Sequence, residues 1–186
     1  MFKSISFDIE EVGKLFQQKR IMDLRGLSNR LIREAAMEEN YAKAELGVIA
    51  YALHKLDTKN HISNNLKWQK VKQIIIADLK SAGYAARENN STMLIGKLKN
   101  IVKHISMIDS ELGNFTQNLY EKAKVKQASL AYSYGLSLAQ SADLTGADKK
   151  ELQSYIGFTK MSDEETEQKK ISQRVSELKQ LLGEAG

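Results

Sequence analysis

Between Leu94 and Leu119 the apolar side chains recur at alternating steps of four and three: Leu94, Leu98, Ile101, Ile105, Ile108, Leu112, Phe115 and Leu119. A repeat averaging about 3.5 residues is the mark of a helix with one apolar seam facing partner helices. Gly113 and Asn114 are the weak point at which that helix can break. Similar stripes precede it. Ile9, Val12, Leu15 and Phe16 predict a first helix ending near Arg20, opened by Ser6, or by Asp8 with Glu11 as a D-x-x-E capping box. From Leu27 to Leu56, the residues Leu31, Ala35, Ala42, Leu46, Ile49, Leu53 and Leu56 predict one long helix. Glu38 interrupts its seam, and a bend is expected near Asn40. Trp68, Val71, Ile75, Leu79 and Ala82 predict a third helix over 65–87, between turn-like segments at 57–64 and 88–91.

A more compact section begins at 128–134. Ser162 and Glu165 then form an S-x-x-E capping box ahead of Ile171, Val175, Leu178 and Leu182, which predicts a terminal helix over 162–182. This helix is long enough to pack on the bundle or on a second copy. Met1 to Ile9 alternates polar and apolar residues, and no repeat or low-complexity segment occurs. The expected fold is therefore all-α: an antiparallel helical array over 1–127, then 128–186 with two short helices and the terminal helix.

Composition agrees with long helices. Average usage would give a chain of 186 residues about nine prolines, and this one has none. The absence of cysteine excludes disulfides, cysteine-ligated zinc, iron–sulfur clusters and a thiol nucleophile. With no run of 18 apolar residues and no leader-like start over Met1 to Ile9, a soluble cytoplasmic protein without a membrane partner is expected. His54, His61 and His104 lack metal-site spacings, and no phosphate-binding glycine loop appears. Glu34, Glu38, Glu39 and Glu45 could face a metal in pairs; without a histidine partner they read as a solvated helix face. No nucleophile, base and orienting group can be assembled, so no catalysis, cofactor or metal is expected.

The net charge of +5 is unevenly placed: 0 over residues 1–54, +7 over 55–126 and −2 over 127–186. In the middle third, Lys122, Lys124 and Lys126 stand close together, while Lys67, Lys70 and Lys97 are among the dispersed lysines. A basic excess on helices suits a phosphate-bearing partner.

Residues 137–156 carry the strongest functional signal. Ser137 with Gln140 makes one capping box and Asp148 with Glu151 a second, while Gly146 between them supplies the positive φ that stops one helix and turns the chain. Ala142 is small where two helices would cross, and Leu138, Leu144, Leu152 and Ile156 provide the inward face. The run Ser141-Ala142-Asp143-Leu144-Thr145-Gly146-Ala147-Asp148-Lys149-Lys150-Glu151-Leu152 resembles the helix-turn-helix of repressor-type regulators. It is also similar to the motif in small archaeal regulators and antitoxins encoded beside PIN-domain nucleases. Ser141 and Thr145 stand where that pattern usually has apolar residues.

The resemblance implies a DNA-binding regulator, an antitoxin-like repressor with duplex DNA as ligand and a nuclease as protein partner. By position, Asp148, Lys149, Lys150, Gln153 and Ser154 lie at the start of the groove-entering helix; Lys149, Lys150, Gln153 and Ser154 are the expected base contacts. Two lysines among Asp143, Asp148 and Glu151 cannot hold DNA alone. Lys122, Lys124 and Lys126 on phosphates, or a homodimer, would supply the remainder. The competing expectation is a helical adaptor that binds a protein or structured RNA through the basic middle third, with Lys67, Lys70 and Lys97 as its markers.

Overall fold

The computed structural model describes residues 3–112 and 118–159, and these are all-α. The helices are α1 (Lys3–Gln17), α2 (Ile21–Glu38), α3 (Tyr41–Asp57), α4 (Asn60–Ser63), α5 (Leu66–Arg87), α6 (Ser91–Leu112), α7 (Leu119–Ser133), α8 (Leu138–Thr145) and α9 (149–159). The expected helix over 162–182, with its capping box, lies outside the described residues, as does Phe115.

α5 runs antiparallel to α6 and to α1, since Lys97 meets Asp78 while Lys67 meets Glu111, and Phe16 meets Trp68 while Arg87 meets Glu10. α2 packs on α3, and α5 packs against both α1 and α6. α2 and α3 approach closely at Gly47 of α3, where an added Cβ would meet the Ile32 side chain at 3.0 Å and where Ser28 Oγ donates to the Gly47 carbonyl at 2.7 Å. In α5, Trp68 is fully buried with its ring 6.0 Å from that of Phe16. Its indole Nε1 donates to Asp57 Oδ1 at 2.8 Å, and the other oxygen of Asp57 pairs with the buried Lys72 ammonium, which lies 4.3 Å from the Phe16 ring centroid. The seam residues Leu94, Leu98, Ile101, Ile105 and Ile108 are all buried, as their spacing predicts.

Local expectations gave way where tertiary contacts took the residues. α1 starts at Lys3, so neither Ser6 nor Asp8 is an N-cap. Both are buried within the helix, and Asp8 accepts from Arg30 of α2 at 3.2 Å. The long helix predicted over 27–56 is two helices. Glu39 takes φ 51°, in the left-handed region, and Asn40 caps α3 by accepting from the Lys43 amide at 3.1 Å. Glu38 ion-pairs with Lys43, which also bonds Glu34. Lys43 thereby carries its buried stem into the hairpin while its charge is satisfied. Within the segment read as a turn, 60–63 form α4. Leu119 belongs to α7 rather than to the α6 seam, and its amide donates to Asp109 Oδ2 at 2.6 Å.

The 127/128 boundary falls inside α7. Ala123 and Ala131 pack into the main core, whereas Val125 and Ala128 join Ala142 and Leu152 in a smaller cluster. Among the described residues, no helix is long and apolar enough to cross a membrane.

Candidate nucleic-acid interface

Local chemistry fixes α8 and α9. Ser137 Oγ accepts from the Gln140 amide at 3.2 Å, and the Gln140 side chain accepts from the Ser137 amide at 3.0 Å, so both halves of the capping box are made. At the other end Gly146 sits at φ 66°, ψ 25°. Its amide donates to the Asp143 carbonyl at 3.3 Å and that of Ala147 to the Ala142 carbonyl at 3.0 Å, the paired bonds of a Schellman stop. Two residues later Asp148 Oδ1 accepts from the amides of Lys150 and Glu151, each at 2.9 Å, and opens α9.

The two short helices close over a small apolar cluster. Leu152 is fully buried with Val125, Ala128 and Ala142, and half-buried Leu138, Ala147, Tyr155 and Ile156 surround it. Leu144 faces the opposite way, into the main core. Ser141 and Thr145 are buried despite their hydroxyls; Thr145 donates to the Ser141 carbonyl at 3.1 Å. One tyrosine ties the unit to the array, and another ties α7, on which the unit packs, to α3. Tyr41 donates to Asp143 Oδ2 at 2.7 Å, and buried Tyr120 donates to Glu45 Oε1 at 2.6 Å. Burial first, and then the Glu45 carboxylate, push the Tyr120 hydroxyl far above its ordinary value, so it stays a donor.

Because Leu152 and Ile156 turn inward, a period of about 3.6 residues sends the other side of α9 to solvent. Lys150, Gln153 and Ser154 are exposed on that side, and Lys149 is exposed at the first turn, on the stripe it shares with Leu152 and Ile156. The charges beside them are partly committed: Asp148 caps α9 and Asp143 is bonded to Tyr41.

The lysines of α7 do not act as one group. Lys122 and Lys126, four residues apart, line a cleft of about 920 Å3. Lys124 lies on another side of the helix, where it pairs with Glu121 at 3.0 Å and sits 5.2 Å from the Tyr120 ring centroid. Across the cleft stand Lys55 of α3 and Lys59, and its remaining wall is the α9 flank bearing Glu151, Ser154, Tyr155 and Phe158. Lys55 and Lys59 are absent from the contacts expected from sequence. The four-residue steps 55–59 and 122–126 are legible, but their convergence depends on how α3 meets α7.

The dispersed lysines behave differently. Lys67 pairs with Glu111, and Lys97 pairs with Asp78 at 2.8 Å; Lys70 is exposed. Of the glutamates considered for a metal, Glu34 and Glu38 bond Lys43, Glu45 bonds Tyr120, and Glu39 lies at the left-handed end of α2. Among the described residues no group of three or more potential metal ligands comes together.

Comparison with protein-family models, with curated proteins and with solved structures finds no match to this chain.

Proposed function

We propose that the chain is a non-catalytic DNA-binding regulator of the antitoxin-like repressor kind, in which α8 and α9 act as a helix-turn-helix and α9 enters the major groove. The observation that carries this reading is the joint exposure of Lys149, Lys150, Gln153 and Ser154 on the first two turns of a short helix. That helix is held from behind by Leu152 and set by a left-handed glycine turn. Lysine can donate to guanine O6 and N7, and glutamine can bond adenine N6 and N7. Lys122 and Lys126 serve the phosphates; Lys124, committed to Glu121, contributes less.

The adaptor alternative is weakened because two of its three marker lysines, Lys67 and Lys97, are engaged in ion pairs. A duplex selected from a random pool and titrated by fluorescence anisotropy at several salt concentrations tests the proposal. Replacing both Lys149 and Lys150 by alanine is expected to reduce affinity and relax sequence preference. Unchanged binding by this double variant refutes it, and preference for structured RNA with sensitivity at Lys70 favours the adaptor. Co-purification with a nuclease encoded next to this chain is the corresponding test of the antitoxin-like part.

A further inference from the structure

A helix lying in the major groove is flanked on each side by a phosphate backbone, since the groove is only about 12 Å wide and a helix with side chains about 10–12 Å across. Whatever borders α9 laterally therefore meets phosphates. One such border is the cleft between α3, α7 and α9. Four lysines drawn from positions 55 to 126 converge on it, although the chain separates them widely. Among the described residues no ion pair engages Lys55, Lys122 or Lys126. The Lys55 and Lys126 ammonium groups instead lie 5.5 Å from the ring centroids of Tyr51 and Tyr155. Burial pushes Lys59 below its ordinary value, and Lys122 and Lys55 push the same way against Asp109, which marks these cations as close enough to repel. An anionic strand relieves that repulsion.

The carboxylates in the cleft are Glu121, paired with Lys124, Asp148, which caps α9, and Glu151. Glu151 is exposed on the α9 wall, and it is the charge a passing strand would have to tolerate. Ser154 belongs both to the outer side of α9 and to the cleft rim, so the two surfaces are continuous.

We infer that this cleft holds a sugar–phosphate strand of the bound duplex, so that Lys55 and Lys59 of the helical array contact DNA phosphates beside Lys122 and Lys126. The inference rests on the duplex-binding reading above. It makes the array part of the DNA interface, and it places the positive charge that α9 lacks within reach of the backbone.

The test is anisotropy with a fluorescein-labelled random-sequence duplex of about three helical turns, about 10.5 bp each, across a salt series. Proteins compared are the wild type, the double variant Lys55→Gln with Lys59→Gln, the single variant Glu151→Gln, and the double variant Lys149→Ala with Lys150→Ala. Circular dichroism and the urea midpoint identify any variant that has not folded, and Lys55→Gln alone then replaces the double variant. Removing both cleft lysines is expected to lower the slope of log K against log salt by about two, and removing Lys55 alone by about one. Glu151→Gln is expected to tighten binding about twofold to fivefold. An unchanged slope at Lys55 and Lys59, with binding still weakened at Lys149 and Lys150, overturns the inference and leaves the proposed function standing. A reduced slope at the cleft with no effect at Lys149 and Lys150 supports the strand site and removes α9 as the reading helix. Failure of the wild type to bind duplex at any salt overturns both.

Discussion

Gly146 is the position at which backbone conformation and proposed function are most tightly joined. At φ 66° and ψ 25° it lies in the left-handed region, where an L side chain costs about 1–2 kcal/mol. Space is not the obstacle: an added Cβ would find Lys124 Cε at 3.9 Å, an ordinary contact with the end of a flexible chain. The cost of Gly146→Ala is thus a backbone cost, offset in part by about 0.4–1 kcal/mol from the stiffer unfolded chain. The net is a loss of about 1 kcal/mol, or a fall in Tm of about 2–4 °C for a chain of this size. Thermal and urea denaturation followed by circular dichroism measure it directly. Gly146→Asn, which tolerates the left-handed region better, is expected to fall between alanine and the wild type. If Gly146→Ala matches the wild type in stability, the turn is not left-handed at 146 and the geometry proposed for α9 is wrong.

Leu152→Ala empties the centre of the cluster beneath α9 and is expected to cost about 2–5 kcal/mol, with duplex affinity falling in parallel; hydrogen exchange of the α9 amides reads the local part. Asp57→Ala leaves the buried Lys72 ammonium without its carboxylate and the Trp68 indole without its acceptor, a loss of about 3–5 kcal/mol by urea denaturation. The ion network between α1, α2 and α3 gives opposite pH signatures. Burial raises Glu34, but hydrogen bonds from Lys43 and Arg30 outweigh it and hold Glu34 below its ordinary value of 4.5. It therefore contributes stability above that value, which is lost as pH falls through the lower native one. Burial raises Asp8 above 3.8 despite Arg30 and Lys43, so its cost is present at higher pH and relieved as pH falls. Acid titration of stability is expected to be shallower in Glu34→Gln and steeper in Asp8→Asn than in the wild type.

What could be read from sequence was whatever short-range chemistry decides. The seam from Leu94 to Ile108 is buried because a 3.5-residue period leaves one face for partners, and Ser137 with Gln140, Gly146 and Asp148 do at their helix ends what their side chains favour. Local signals misled where a distant partner changed the outcome. Asp8 has the residue type and spacing of a cap, but Arg30, twenty-two positions away, draws it into a helix interior. At 39–40 the apolar stripe continues on both sides of the break, so two helices resemble one bent helix until the Asn40 cap and the left-handed Glu39 are considered together. The charge pattern was readable as an excess but not as a surface. The Lys67–Glu111 and Lys97–Asp78 pairs span long separations and engage lysines of the middle third with carboxylates of the same segment, while Lys55 and Lys59 gain a common cleft with Lys122 and Lys126. Lys124 is the exception that helical phase alone could have separated from its neighbours, being about 200° from each.

The most direct test of the central claim is a two-dimensional amide NMR titration with the selected duplex. A regulator that reads DNA with α9 predicts the largest shifts at Lys149, Lys150, Gln153 and Ser154, with smaller ones at Lys122 and Lys126 and none along the far face of α5 around Lys70 and Ile74. Shifts concentrated on α5 and α6, with α9 unmoved, would contradict it.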